Sequence, residues 1–177
     1  QIVHDTDRNG SEAVTLNGAA STDDGTIESY IWTEIIGGVP TQIATGVNPT
    51  ITLAVGTHTI TLTVTDDDAA QDTDEVVIKV NAPPTANAGS DQSVSAGTNN
   101  VALDGSLSSD TDGTIVGYSW SANGVEFSTQ VAPTITLPVG MHTLTLTVTD
   151  NNGAAGSDTV IIIVTAANVP PTANAGS

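Results

Sequence analysis

Aspartates dominate the side chains that could do chemistry, and they fall in two matching sets. The first is Asp23, Asp24 and the run Asp66 to Asp68. The second is Asp110, Asp112 and Asp150, with Asn151 and Asn152 following directly. Carboxylate and amide oxygens are what a hard cation such as Ca²⁺ takes, about six to eight at a time. The same residues also read as a solvated cluster of acidic loops. The chain carries two basic residues against twenty acidic ones, for a net charge of −18. That surface repels nucleic acid and anionic membrane, both of which attract clustered Lys and Arg. Solubility in salty surroundings would also account for it. The chain has no cysteine, so no disulfide or thiolate metal site is available.

Other chemistry finds little support. Asp5-Thr6-Asp7-Arg8-Asn9-Gly10 begins like an EF-hand loop, but Leu16 stands where the closing acid belongs. A plain long turn is the expectation there. His58 and His142 start two similar strands, where a structural hydrogen bond is expected rather than catalysis. No nucleophile elbow, histidine metal motif or glycine-rich phosphate loop is present. The paired carboxylates sit on turns with no evident cleft between them, so enzyme activity is not expected.

The elements that must position the aspartates are two copies of one strand. Gly56 to Asp66 reads GTHTITLTVTD and Gly140 to Asp150 reads GMHTLTLTVTD. Successive strand side chains point to opposite faces, so one face is apolar and the other is a threonine ladder. Such a strand belongs in an antiparallel sheet packed on a second sheet. The copies lie 84 residues apart from His58 to His142, and 88 from Trp32 to Trp120. That is a domain-sized repeat. Trp32 and Trp120 are expected to anchor the two cores, with Tyr30 and Tyr118 on the same face two residues earlier.

Strands are expected at Gln1 to His4, Ala13 to Leu16, Thr26 to Glu34, Thr41 to Thr45, Thr50 to Val55, Thr57 to Thr65 and Glu75 to Val80. Gly37, Gly38 and Pro40 are expected to break the third. The second repeat replays the order at Ala86 to Ala88, Val101 to Leu103, Thr114 to Trp120, Pro133 to Leu137, Met141 to Thr149 and Thr159 to Thr165. Asn81-Ala82-Pro83-Pro84 and Asn168-Val169-Pro170-Pro171 read as joints, because proline cannot continue a sheet ladder. The domains are therefore 1–81, 82–168 and the opening strand of a third repeat at 169–177. The fold class is all-β, with about seven strands to each sandwich. Each module can bury only a modest core, which makes support from a bound ion reasonable. The longest apolar run, Val160 to Val164, is too short to span a bilayer. The chain starts at Gln1 without a signal peptide and reads as a mature or excised piece of something longer.

One family unites these features. Pro-Pro-Thr-Ala-Asn-Ala-Gly from Pro83, Leu103-Asp104-Gly105-Ser106, Ser109-Asp110-Thr111-Asp112-Gly113-Thr114-Ile115, Tyr118-Ser119-Trp120 and the strand to Asp150 resemble the polycystic kidney disease (PKD) domain. The first repeat matches from Leu16 to Asp66, one residue shorter at Asp23-Asp24. The resemblance implies tandem immunoglobulin-like β-sandwiches of the bacterial or archaeal extracellular type. It also implies modules that space or join other domains in secreted and surface proteins. The family's Trp-Asp-Phe-Gly-Asp-Gly turn is absent: Thr33-Glu34 and Ser121-Ala122-Asn123-Gly124 follow the tryptophans.

In such a sandwich the turn after the second strand, the loop after the Thr-rich strand and the domain's lead-in lie at one end. That gathers Asp110, Asp112, Asp150 and the joint at Asn81 into a Ca²⁺ cage. The resemblance supports this, since some bacterial PKD domains bind calcium near that joint. Asp23, Asp24 and Asp66 form the corresponding set in the first repeat. Calcium there would neutralise repelling carboxylates and stiffen the joint.

The expected function is a non-catalytic spacer, surface stalk or filament-forming module, extracellular or at the cell surface. The alternative is an accessory module of a secreted hydrolase or adhesin that binds a polysaccharide or protein. Exposed aromatic rings would favour that alternative, and Phe127 is the one ring without a counterpart in the other repeat. The partners expected are neighbouring copies or repeats, or other extracellular proteins and glycans, with no nucleic acid and no membrane span. Pro171 to Ser177 repeats Pro84 to Ser90 residue for residue. The tail is therefore expected to dock on the first repeat of another copy, by strand donation or as one continuous polymer. A cut made arbitrarily in a longer chain would produce the same ends.

Overall fold

The computed structural model describes residues 1–96 and 100–176. The chain divides into two units, Gln1–Pro83 and Pro84–Ser177, each with its own buried cluster. The described residues form strands and turns, with no helix.

The first unit holds β1 (Ile2–His4), β2 (Ser11–Thr15), β3 (Ile27–Ile36), β4 (Val39–Thr45), β5 (Thr50–Ala54), β6 (Gly56–Asp66) and β7 (Gln71–Asn81). Five strands make one sheet in the order β1-β7-β6-β3-β4, and β2 pairs with β5 in the other. The second unit holds β8 (Gln92–Ser95), β9 (Asn100–Ala102), β10 (Ile115–Ala122), β11 (Val125–Ser128), β12 (Thr134–Thr136), β13 (Gly140–Asp150) and β14 (Ala155–Thr165). Its sheets run β11-β10-β13-β14-β8 and β12-β9. The fold is a tandem β-sandwich, seven strands to each unit.

The Thr-rich strands occupy the centre of the large sheets and turn an apolar face to the core. Leu144, Leu146 and Val148 are fully buried, while the threonines between them lie half-exposed or exposed on the opposite face. Trp120 is fully buried opposite Leu146, and Trp32 is buried opposite Leu62. A buried indole needs a partner for its N–H. Trp32 Nε1 donates to the Gly46 carbonyl at 2.9 Å and Trp120 Nε1 to the Gln130 carbonyl at 3.1 Å. The expected core anchors are therefore in place. Tyr30 and Tyr118 pack partly buried against the same clusters.

Four expectations need correction. Pro40 does not stop a strand; it lies within β4, opposite Ile35. β4 is an outer strand of its sheet, where a missing N–H costs no ladder bond. The chain reverses instead at Gly37 and Gly38, whose φ of +62° and +84° suit a two-residue hairpin. β7 and β14 begin at Gln71 and Ala155, four residues before the expected starts, because pairing to β6 and β13 extends through the acidic stretch. β11 was not expected, although Asn123-Gly124, both at positive φ, is a strong hairpin signal. No strand forms at Ala86 to Ala88. That segment makes one bridge, Thr85 to Ser109, and its next N–H groups go to side chains.

Candidate functional site

In the second unit the expected loops converge over Gly113. A methyl group added there would touch Asn151 Oδ1 and lie 2.6 Å from Asp110 Oδ2. Asn151 Oδ1 also accepts the Thr114 N–H at 2.7 Å, while Asn151 N donates to the Thr114 carbonyl at 2.9 Å. The loop after β13 is thereby fastened to the turn before β10. Asp112 sits in that turn, its N–H 3.3 Å from Asp110 Oδ1. Asp110 Oδ2 is shielded from solvent and accepts no hydrogen bond. A buried carboxylate oxygen without a donor is costly unless a cation neutralises it.

The first unit repeats the arrangement. A methyl group on Gly25 would lie 2.6 Å from Asp67 Oδ1 and 3.3 Å from Asp23 Oδ2. Asp67 Oδ1 accepts the Thr26 N–H at 3.1 Å, and Gly25 N donates to Asp23 Oδ2 at 2.9 Å. This set is more exposed, and Asp24 lies in the same turn.

Asp66 and Asp150 do a different job. Asp150 is buried, and its Oδ1 accepts the N–H groups of Asn152 and Ala154 at 2.8 and 2.9 Å. Asp66 Oδ1 accepts those of Asp68 and Ala70 at 2.9 and 2.8 Å. Each closes the loop that follows its own strand. The side chains that cross to the neighbouring turn are the next ones, Asp67 and Asn151. Asn81 ends β7 in the first unit, fully buried, with Nδ2 3.3 Å from the Ala82 carbonyl and 3.4 Å from His4 Nδ1. Among the described residues no three His, Cys, Asp or Glu side chains gather as a metal cluster. A cation here would therefore draw on amide oxygens and water besides the carboxylates, as Ca²⁺ commonly does.

The Asp5 loop is an ordinary turn in its bonding. Buried Asp5 accepts Asn9 N at 3.1 Å on Oδ1 and Gly10 N at 2.8 Å on Oδ2. His58 Nε2 lies 2.8 Å from the Ala54 carbonyl and Nδ1 2.7 Å from Glu34 Oε1. His142 Nε2 lies 2.9 Å from the Pro138 carbonyl. The His58 ring ties the start of β6 to the end of β5, and the His142 ring ties the start of β13 to the loop before it. Asp104, exposed, is held below its ordinary pKa of 3.8 by the Ser106 hydroxyl and then by the Ser106 N–H.

Residues 7–80 and 88–164 match the family described as K319L-like, PKD domain. The chain belongs to that family. The PKD match covers both sandwiches, in agreement with the resemblance in the quoted motifs. Among curated proteins, the mouse dyslexia-associated protein KIAA0319-like protein is 34% identical over 91% of this chain and 17% of its own length. The pre-pro-metalloprotease PrtV of Vibrio cholerae is 32% identical over 84% of this chain and 16% of its own. The chain thus spans about a sixth of the length of these relatives. The solved PKD domain of the KIAA 1837 protein is 28% identical, covering 50% of this chain and 93% of that domain, with a TM-score of 0.43.

Proposed function

We propose that these two PKD units are a non-catalytic extracellular spacer, stiffened by Ca²⁺ at the aspartate turns of each module. The observation that carries this reading is recurrence. The same oxygens meet over the same glycine in both units, Asp110 with Asn151 and Asp23 with Asp67. A repeated structural site behaves this way, whereas a catalytic site need occur only once in a chain. Asp110, Asn151 and Asp112 would hold the ion in the second unit, and Asp23 and Asp67, with Asp24, in the first. The buried Asp110 oxygen supports the choice of a cation over a solvated loop. Relatives that carry the domain as a small part of a longer chain, one of them named as a protease, support a joining role outside the cell.

The accessory-module alternative receives less support. It needs exposed flat rings, and of the Trp, Tyr and Phe residues only Phe127 is exposed, at 39%.

Thermal melting with calcium and with a chelator tests the ion. A ligand at a hundred times its Kd adds about 2.7 kcal/mol to the folded state. A clear rise in Tm that Asp110→Asn abolishes is the expected result. Identical melts would remove calcium from the account and leave an unstiffened spacer.

A further inference from the structure

A groove of about 410 Å³ opens in the first unit between β5 and the β3–β4 hairpin. Binding pockets commonly run from about 300 to 1,000 Å³, so its size is adequate for a ligand. Ile36, Ile43, Ile51 and Leu53 supply an apolar wall, and Glu34 and His58 stand at the Ala54 end of β5. Leu53 is buried, Ile43 and Ile51 are half-buried, and Ile36 is 53% exposed. Covering such a wall removes apolar surface from water, which is favourable. The groove is separate from the aspartate turn: His58 is the third residue of β6 and Asp66 the last.

Backbone borders the groove along β5, which pairs with β2 on one side only. Leu16 N donates to the Pro49 carbonyl at 2.9 Å, and Val55 N to the Gly10 carbonyl at 3.0 Å. Antiparallel pairs alternate between bonded and unbonded. Ile51 and Leu53 therefore direct their backbone groups at β2, and those of Thr50, Thr52 and Ala54 point away from it. The Ala54 carbonyl lies 2.8 Å from His58 Nε2, and the other outward groups make no hydrogen bond among the described residues. Natural edges are blunted by proline, charge, bulges or short length. β4 has Pro40 and a break in register between Trp32 and Thr33. β12, the counterpart of β5, has three residues, with Pro133 before it and Pro138 after. β5 has five, Thr-Ile-Thr-Leu-Ala, in continuous register and without proline or charge. Aligned on Gly56 and Gly140, Ala54 falls where Pro138 stands, and proline has no N–H to give. Counted from the tryptophans, Glu34 and Ile36 fall where Ala122 and Gly124 stand. The first unit thus keeps an edge donor, a carboxylate and an apolar side chain that the second does not have at these positions.

We infer that the β5 edge accepts an extended segment of another protein, one that alternates apolar residues and carries a Lys or Arg beside Glu34. The segment's backbone pairs with Thr50, Thr52 and Ala54, as in the addition of a strand to a sheet edge. Its alternate side chains enter the groove against Ile36, Ile43 and Ile51. Charge selects the occupant. A second copy would bring −18 to meet −18 with only two basic side chains, and repulsion disfavours it. The same field draws in a basic segment. Glu34 is the one carboxylate on the groove. Its Oε1 lies 2.7 Å from His58 Nδ1, and its Oε2 accepts no hydrogen bond among the described residues. An ammonium or guanidinium on the segment would supply a charge-assisted bond there.

The test is NMR titration of the 177-residue chain, in chelator, with the synthetic peptide Lys-Thr-Val-Thr-Val-Thr-Val. Two further peptides carry Gln in place of Lys, or Pro in place of the central Val. The Lys peptide should shift the amide signals of Thr50 and Thr52 and the methyl signals of Ile36, Ile43 and Ile51, and leave those of Thr134, Ile135 and Thr136 in place. Ala54→Pro, which copies Pro138, removes an edge donor and should weaken binding about tenfold. Glu34→Gln should weaken the Lys peptide about fivefold and leave the Gln peptide unchanged. The Pro peptide should not bind. A Lys peptide that shifts nothing at millimolar concentration overturns the proposal, as does one that shifts the β12 signals equally or binds Ala54→Pro as well as the parent. Sedimentation velocity of the chain alone checks the other occupant. Self-association that Ala54→Pro abolishes would assign the edge to a second copy and overturn the proposal. Chelator keeps calcium out of this experiment, so its failure leaves the calcium reading standing, and a melt that ignores chelator leaves the edge site standing.

Discussion

Asn151 Oδ1 accepts the backbone N–H of Thr114 at 2.7 Å while facing the Asp110 carboxylate over Gly113. The first unit places Asp67 in the same relation to Thr26 and Asp23. An aspartate therefore fits at position 151. Asn151→Asp is expected to keep the hydrogen bond and add a charge beside Asp110. In chelator its Tm should fall below the parent's, and calcium should raise it by more than it raises the parent. Asn151→Ala should instead lose about 0.5–1.5 kcal/mol in chelator, the worth of one hydrogen bond, and more in calcium, because an oxygen that would hold the ion goes with it. Melts of the three proteins with and without calcium check both outcomes. Equal melting of Asn151→Asp and parent in chelator would show that the two oxygens do not feel each other.

Each unit holds one tryptophan in its own core. Trp120→Ala removes the largest fully buried side chain of the second unit and should cost about 3–5 kcal/mol there. Trp32 emission then reports the first unit alone, and its unfolding midpoint should stay close to the parent's. Trp120→Phe keeps part of the ring volume but loses the hydrogen bond to the Gln130 carbonyl, worth about 0.5–1.5 kcal/mol. Denaturant titrations followed by fluorescence separate the two cases.

The sandwich was legible because alternation of Leu, Val and Thr in β6 and β13 admits one burial pattern, and the tryptophans mark its centre. The convergence of loops was legible too, because chain direction sends the turn after β9 and the loop after β13 to the same end. The role of each acid was not. Asp66 and Asp67 are adjacent and alike in type, yet one closes its own loop and the other crosses to the neighbouring turn, and that depends on backbone path. Nor was it visible that Asp158 accepts the Ala88 N–H at 2.8 Å, although Asp74 and Asp158 recur at matching places within runs that read as loop. Pairing partners extended those runs into strand, which local composition opposes.

The histidines should differ in weight. His58 makes two contacts, to Glu34 and the Ala54 carbonyl, with both side chains mostly buried. His142 makes one, to the Pro138 carbonyl. At about 0.5–1.5 kcal/mol for each hydrogen bond, His58→Ala should destabilise its unit more than His142→Ala destabilises the other. In a Glu34→Ala background, His58→Ala should cost about as much as His142→Ala does in the other unit. Single-tryptophan versions of each variant allow the two units to be read separately in urea. Equal costs for the two histidine variants would mean that the Glu34 contact adds nothing.

Asp104 provides a test of local electrostatics by acid titration. The Ser106 hydroxyl and N–H both donate to its carboxylate, which favours the charged form and lowers the pKa below 3.8. A depressed carboxyl contributes stability that is fully present above the unfolded value and is lost as pH falls through the folded one. The pH dependence from this group is therefore confined to acid, below about pH 4, and at neutral pH its contribution is fully present and constant. Ser106→Ala removes the larger cause and keeps the N–H, so the Asp104 pKa should rise part of the way back. Carboxyl NMR titration of parent and variant reads the shift directly. Identical titration curves would assign the lowered pKa to the backbone N–H alone.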